Sequence, residues 1–350
     1  GSSAALLCAA WTTNIETSAI LEKLKAQSST WKSQTITNVD LRRFQQTELV
    51  QQLRSTFKYL NSLATDIPQF IRPYVGALYV AVLQPYADAS EPRRICWKIV
   101  LLNSGIWFMW QLQRLQPMMS RAFVHNPLSG MSYTLLTSAF SHKSLIHLLF
   151  NCLALEGFGS SAGTYLRQVQ DKNTAQPEST SSYHFLAFYA SAGIFSGLVS
   201  HIASAKLRYP KLIAQLSSPA SKAPATETWA SAMTAASSTT TKAAAATSAK
   251  SAISIPGSLG ASGAVYACVT ATALAYPGAQ ISLIFPPTSP FDIQYGVMGL
   301  VALDTLGVIR GWRMFDHWAH LGGAAFGAMY YYCGPTIWSY TRAALKPRDS

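Results

Sequence analysis

Between residues 95 and 340 the chain is a succession of apolar segments, each about as long as a bilayer-crossing helix: Ile95–Leu112, Leu145–Leu166, Tyr183–Ala205, Gly260–Ala279, Phe291–Ile309 and Trp318–Tyr340. A hydrocarbon layer of about 30 Å takes roughly 20 helical residues to cross. A helix is also the simplest element that satisfies its own backbone hydrogen bonds in lipid. The pattern therefore predicts an all-α membrane protein with six transmembrane helices. Charged residues form only 12% of the 350, roughly half the usual ~25% of a soluble domain, too few to coat a large water-soluble globule.

The flanks differ in character. Residues 1–94 read as an N-terminal region. The apolar run Ala4–Trp11 is too short to span a bilayer and is a candidate stub of a further membrane helix; because the chain starts at Gly1 and not at Met, a processed or truncated start is expected. Leu41, Phe44, Leu53, Phe57 and Leu60 recur at helical steps and predict an amphipathic helix from about Val39 to Leu60, capped by Thr37 or Asn38. Tyr74–Leu83 is apolar but short, and is expected to lie at an interface or be buried. Residues 95–340 form the membrane core. Within it, Gln113–Lys143 carries Pro117, Pro127 and Gly130 and reads as a structured loop, and 217–254 is a low-complexity Ala/Ser/Thr/Lys insertion. Residues 341–350 are a polar tail. Trp107 and Trp110 are expected at a membrane–water interface.

The net charge of +12 comes from scattered basic residues such as Arg93, Arg94, Arg310 and Lys346. This distribution suits contact with anionic headgroups of a lipid bilayer and gives no nucleic-acid footprint. The five cysteines, Cys8, Cys96, Cys152, Cys268 and Cys333, are widely spaced without a CxxC. They read as small buried hydrophobes; no disulfide frame, metal site or cofactor is expected.

Polar side chains inside lipid are costly and ask for a reason, and three clusters do so. His142 precedes His147 and Asn151, which lie four apart on one helix face; both can donate hydrogen bonds to a common point, or simply stitch helices together. Gly260-Ala261-Ser262-Gly263 opens the fourth apolar segment and places a serine near exposed helix-start amides, although small residues here also suit plain packing. In the sixth segment Ala319, Gly323 and Gly327 form a small-residue stripe beside His320, with His317 expected near the interface and Asp316 as helix cap. Together the clusters supply a serine, a histidine and glycines for close helix approach. A serine hydroxyl becomes a nucleophile when a neutral imidazole takes its proton. Ser262 and His320 are the expected dyad, His147, Asn151 and the Ser262 amide the expected oxyanion donors, and His142, Gly260, Gly263, Gly323 and Gly327 the supporting residues. No acid is placed by spacing to complete a triad. Asp304, within the fifth segment, is expected to make structural hydrogen bonds only.

The motifs SHKSLIHLLFN (Ser141–Asn151), GASG (Gly260–Gly263) and AHLGG (Ala319–Gly323) resemble the rhomboid family in order and placement, over roughly Arg93 to Tyr340. TSAFSHKSLIHLLFN, PGSLGASGAVYA and ALDTLGVIRGWRMFDHWAHLGGAAFG are similar to its mitochondrial, presenilin-associated rhomboid-like branch. The resemblance implies a six-helix core, with Ala4–Trp11 a candidate remnant of the extra N-terminal helix of mitochondrial members. It implies an intramembrane serine endopeptidase of the inner mitochondrial membrane, in which Ser262 attacks, His320 relays the proton, and His147 and Asn151 help hold the oxyanion. Its substrates would be single-pass membrane proteins, such as a dynamin-like fusion GTPase or a cytochrome c peroxidase precursor. The Trp-Arg pair found in the first loop of many bacterial rhomboids is absent from Gln113–Lys143, and the insertion is longer than the family usually has there.

Other classes fit less well. A non-catalytic rhomboid-like protein that holds membrane clients is the principal alternative, disfavoured because Ser262 and His320 are both present. A transporter would show internal repeats, and none is seen. A soluble α/β hydrolase would place GxSxG after a buried strand, whereas this serine opens an apolar helix.

Overall fold

The computed structural model describes residues 1–27, 36–63, 68–173, 176–217, 257–283, 287–312 and 314–346. The chain is mostly helical. Helix α1 (Ser2–Gln27) is followed by α2 (Asn38–Leu63), α3 (Arg72–Asp88) and α4 (Glu91–Gln111). The amphipathic helix expected at Val39–Leu60 is α2. At its start Asp40 N–H donates to the Thr37 hydroxyl (3.3 Å), while Thr37 N–H and Oγ donate back to the Asp40 carboxylate (3.0 and 2.6 Å), a reciprocal cap. Those bonds hold the Asp40 carboxyl below its ordinary pKa. The short apolar run Tyr74–Leu83 lies in α3, where Tyr74, Leu78 and Val82 are exposed.

The expected structured loop contains two short helices, α5 (Gln116–Ala122) and α6 (Thr134–Thr137), with 3-10 turns beside them at Gln113–Leu115 and Ser138–Phe140. Helix α7 (Leu145–Ala154) continues through a π turn, Leu155–Gly159, into α8 (Ser160–Asp171). Helix α9 (Ser182–Ala203) likewise runs through Ser204–Arg208 into α10 (Tyr209–Ser217). Helix α11 (Ser262–Ala275) is followed by a two-stranded antiparallel ribbon, β1 (Gln280–Ile281) and β2 (Phe291–Asp292), with Ile281 opposite Phe291. Helices α12 (Ile293–Arg310) and α13 (His317–Ala344) complete the described fold. Among the described residues the ribbon is the one strand pair in a chain expected to be all-α. It lies in the α11–α12 connection, where Pro277 breaks the helix and Gly278 disfavours one. The insertion read at 217–254 lies outside the described residues beyond Ser217, as does the tail beyond Lys346.

Among the described residues three helices are long and apolar enough to cross a membrane: Leu145–Asp171, Ser182–Ala214 and Ile293–Arg310. Helix α11 is apolar but only 14 residues long. The surface pattern inverts that of a water-soluble protein. Leu145, Ile146, Leu149, Phe150 and Leu153 of α7 and Met298, Leu303 and Ile309 of α12 are exposed, whereas serines, threonines and histidines are buried between helices. Lipid accepts the former at no cost, and the latter gain partners inside.

The centre of the bundle is α9, α11 and α13. Phe185, Phe188 and Tyr189 of α9 pack with Cys268 of α11 and Phe326 and Tyr330 of α13. Helices α11 and α13 approach backbone to backbone: a Cβ on Gly323 would stand 2.0 Å from the Gly263 carbonyl oxygen, and one on Gly327 would stand 2.4 Å from that of Ala267. The small-residue stripe therefore does set the approach of these two helices.

Two expectations about side-chain direction change. Trp110 is buried, and its indole N–H donates to Ser141 Oγ at 2.9 Å; it seats the first loop on α4 instead of marking an interface. Only Cys96 and Cys268 are buried. Cys152 is half-buried, and Cys8 and Cys333 are exposed; all five are free. An outward face in lipid accepts a thiol as readily as an alkyl group does.

The N-terminal helix packs on this core. Asn14 of α1 accepts from Arg342 Nε (3.0 Å) and donates to the Arg342 carbonyl (2.8 Å). Arg342 also donates to Glu178 Oε2 (2.9 Å) and to the Pro177 carbonyl (2.8 Å), and Trp338 Nε1 donates to the same Glu178 oxygen (3.0 Å). Burial pushes the Glu178 carboxyl up to about 7, against the pull of the Arg342 charge.

Candidate active site

Ser262 is the first residue of α11, and His320 lies one turn into α13. The glycine-mediated approach of these helices brings the two side chains together, with His320 Nε2 and Ser262 Oγ 2.9 Å apart. Behind the imidazole stands Asp304 of α12: its Oδ1 is 3.1 Å from His320 Nδ1 and 2.5 Å from His317 Nδ1. Its Oδ2 accepts from the Tyr266 hydroxyl at 2.5 Å. The Tyr266 ring stacks on His320, centroids 4.5 Å apart and planes 11° off parallel. A carboxylate that accepts from Nδ1–H leaves the Nε2 lone pair directed at the serine hydroxyl.

Asp304, expected from the sequence to make structural bonds only, does make hydrogen bonds, and one of them goes to His320 on the ring nitrogen opposite the one that faces Ser262. His317 is no interfacial residue. It is 4% exposed, and its ring lies against Gly307, where a Cβ would come within 2.5 Å of it.

The turn into Ser262 is held from several sides. Gly260 has φ +131°, a region that side chains disfavour, and a Cβ there would stand 2.6 Å from the His147 ring. Any larger residue would displace both. Gly260 N–H donates to the Ser138 carbonyl at 2.9 Å. Ala261 N–H donates to His142 Nε2 at 3.3 Å, so His142 supports the turn as an acceptor. Burial first, and the neighbouring His147 second, push the His142 pKa down to about 4, which keeps that lone pair available. Asp316 caps α13 by accepting from Ala319 N–H (3.3 Å), and also accepts from the Ser200 and Ser258 hydroxyls at 2.6 and 2.7 Å. One carboxylate thereby joins the helix of His320 to the segment that delivers Ser262. Ser258 in turn pairs with His125 through two 2.9 Å backbone bonds.

Two of the expected oxyanion donors border the turn at Gly260–Ser262, the first amide of α11 and His147. No side chain caps the start of α11, where the first amides of a helix have no carbonyl behind them. His147 packs beside Gly260 on one side and edge-on to His142 on the other, ring centroids 5.1 Å apart. Asn151 Nδ2 donates to the His147 carbonyl at 2.8 Å; an amide nitrogen carries two hydrogens, and that bond uses one. Asp304, His317 and His320 also offer three ligand atoms within 4.8 Å of one another.

Sequence reasoning missed Asp304, Tyr266 and the Asp316–Ser258 bond. An aspartate inside an apolar segment was the available signal for the first. The other two depend on how helices pack.

The bundle is that of a membrane protein in which a serine hydroxyl and an imidazole converge from two glycine-apposed helices. The family model of the rhomboid domain matches residues 129–335, and the chain belongs to the rhomboid family. It is 29% identical over 292 residues to the mitochondrial presenilin-associated rhomboid-like protein of Mus musculus, covering 82% of this chain and 62% of that protein. The Homo sapiens counterpart is 28% identical over 82% of this chain and 61% of its own. Rhomboid protein 1, mitochondrial, of Saccharomyces cerevisiae is 26% identical over 315 residues, 89% of this chain and 72% of that one. The chain thus spans about 62% of the length of the mammalian relatives. No solved structure matches it. These relatives place it in the mitochondrial rhomboid branch, as a mitochondrial multi-pass membrane protein.

Proposed function

We propose that the chain is an intramembrane serine endopeptidase that cleaves single-pass membrane proteins in or near their transmembrane segment, in the inner mitochondrial membrane. The observation that carries this reading is the 2.9 Å approach of Ser262 Oγ to His320 Nε2, with Asp304 on the other imidazole nitrogen. In this reading α4, α7–α8, α9, α11, α12 and α13 form a six-helix rhomboid core, which extends the expected 95–340 to Glu91 at one end and to Ala344 at the other, past the buried Arg342. The residues before it are an appended N-terminal region whose α1 packs against that core, and the polar tail begins only after Ala344.

Ser262 Oγ adds to the scissile carbonyl as its proton passes to His320 Nε2. The oxyanion is held by the Ser262 amide, His147 and Asn151. The intermediate collapses, the C–N bond breaks, and His320 returns the proton to the leaving amine. Water then adds to the acyl-serine with His320 again as base, releasing the acid and restoring the hydroxyl. Asp304 stays ionised throughout and holds His320 in the tautomer with Nδ1 protonated. Tyr266 fixes the carboxylate and the ring plane. His142 and Gly260 shape the turn, and Gly263, Gly323 and Gly327 let the two helices meet.

A fluorophosphonate probe, which phosphonylates activated serines with loss of fluoride, tests the site without knowledge of the substrate. Labelling of wild type at Ser262, lost in Ser262→Ala and His320→Ala, is expected. Wild type left unlabelled while it still binds membrane clients would favour the non-catalytic, client-holding reading.

A further inference from the structure

Two histidines one turn apart on α13 and an aspartate on α12 place three metal-capable atoms around one point: His317 Nδ1, His320 Nδ1 and Asp304 Oδ1. The geometry points to a site at which Zn²⁺ binds through Asp304, His317 and His320 and reversibly shuts off the serine. This inference extends the proposed peptidase reading, and its binding arm stands apart from that reading.

The donor set is chemically apt. Two imidazoles and one carboxylate, with a fourth position left for water, is a ligand combination that Zn²⁺ takes in protein sites. Metal–ligand distances of about 2.0–2.2 Å set neighbouring ligand atoms on a tetrahedron roughly 3.3–3.5 Å apart. Here Asp304 Oδ1 stands 2.5 Å from one imidazole nitrogen and 3.1 Å from the other, and all three atoms lie within 4.8 Å of one another. Adjustments of about 1 Å or so convert hydrogen-bond spacing to coordination spacing. The surroundings resemble a prepared outer shell, in which partners that orient the ligands strengthen metal binding. Tyr266 donates to Oδ2 of Asp304, so Oδ1, which accepts from the two Nδ1–H groups without metal, is the oxygen released to the metal when those protons move; the Tyr266 ring fixes the plane of His320, and close contact with Gly307 fixes that of His317. Asp304, His317 and His320 are 3%, 4% and 9% exposed, so an ion held here is screened from bulk water.

Inhibition follows from the proton count. A neutral imidazole that binds metal through Nδ1 carries its one proton on Nε2. His320 then presents an N–H to Ser262 Oγ, with no lone pair to take the serine proton. At each histidine the Nδ1–H bond breaks and an Nε2–H bond forms, the proton exchanging through water, and the Nδ1 lone pair so released binds Zn²⁺ in place of one of its water ligands. Chelation of the metal restores the starting tautomers. Asp304, which orients His320 in the free enzyme, becomes a metal ligand, so the inhibited and active states share one carboxylate. Mg²⁺ prefers oxygen donors in an octahedron and fits this site poorly.

The test uses the purified full chain in detergent micelles with metal-buffered free Zn²⁺. Zinc stoichiometry and affinity are measured by competition with a chromophoric chelator for wild type, Ser262→Ala and His317→Gln, and fluorophosphonate labelling or peptidase activity is followed in parallel. One Zn²⁺ is expected to bind wild type and Ser262→Ala equally. Inhibition of wild type should be reversed by EDTA and not mimicked by Mg²⁺, and His317→Gln should raise the half-saturating Zn²⁺ by at least about tenfold. Because stoichiometry is read on the Ser262→Ala variant as well, a chain without peptidase activity would sink the serine reading and leave the metal site to its own result. Absence of binding at micromolar Zn²⁺, or identical affinities of wild type and His317→Gln with both folded by near-ultraviolet circular dichroism, would overturn the inference.

Discussion

Two buried polar networks sit on the same helix, about 30 Å apart along α13, and they are built to different ends. At Arg342 three nitrogens of one guanidinium are spent on Asn14, Glu178 and Pro177, and Trp338 adds a further donor to Glu178. That network joins α1, the α8–α9 connection and α13 and finishes in structural bonds. At His320 the chain of bonds runs Tyr266–Asp304–His320–Ser262 and finishes on a hydroxyl, the nucleophile of the proposed reaction. Both place ionisable groups in an apolar bundle, where an unpaired group is expensive. On the proposed reading, removal of the first network should cost the fold and spare the chemistry, and removal of the second should do the reverse.

Substitutions sharpen or break that contrast. The largest effect is expected from Ser262→Ala or His320→Ala, each lowering peptide-bond cleavage by roughly 10⁴–10⁶-fold with little change in thermal midpoint; a residual rate within tenfold of wild type would remove them from the mechanism. Next, Asp304→Asn retains size but presents the wrong partner to Nδ1, and should lower the rate by roughly 10³–10⁴-fold. A loss of less than about threefold, measured with the same substrate, would return Asp304 to a purely structural role. Arg342→Ala leaves Glu178 buried without its cation, at a cost of about 3–5 kcal/mol. It should lower the midpoint of thermal unfolding by several degrees while the folded fraction keeps its turnover; lost turnover with unchanged stability would invert the comparison. A smaller loss is expected from Ser258→Ala, which removes one hydroxyl from Asp316: about 10-fold in turnover at unchanged KM, since it loosens the position of Ser262 without touching substrate.

A separate effect is on acid stability. The His142 pKa is depressed to about 4 in the fold, against about 6.5 in an unfolded chain. The contribution of neutral His142 is therefore complete above pH 6.5 and is lost as pH falls from there toward 4. Thermal midpoints measured across that window should fall for wild type and fall less steeply for His142→Gln. Identical slopes would show that Ala261 N–H does not depend on that lone pair.

Much of the architecture is legible in the sequence because one-dimensional periodicity carries it. The helix Asn38–Leu63 follows from apolar spacing, the broken segment after Gln113 from its prolines, and the α11–α13 apposition from glycines four residues apart. Ser262 and His320 stand out in the sequence because a polar residue beside small neighbours in lipid needs a partner. Asp304 was not paired with His320, 16 residues away, because that contact depends on how α12 leans on α13. The direction of Trp110, inward to Ser141, was hidden for the same reason: an indole suits an interface and a buried hydrogen bond equally, and only the seating of the first loop decides. The outward cysteines Cys8 and Cys333 show that apolar surroundings in sequence do not distinguish lipid from core.

The most direct measurement is cleavage of a single-pass membrane protein by the purified chain in liposomes, with wild type, Ser262→Ala and His320→Ala compared at matched folded concentration. The account predicts two product fragments from wild type alone, cut in or near the transmembrane segment. Equal cleavage by all three proteins would contradict it, because the nucleophile would then lie elsewhere.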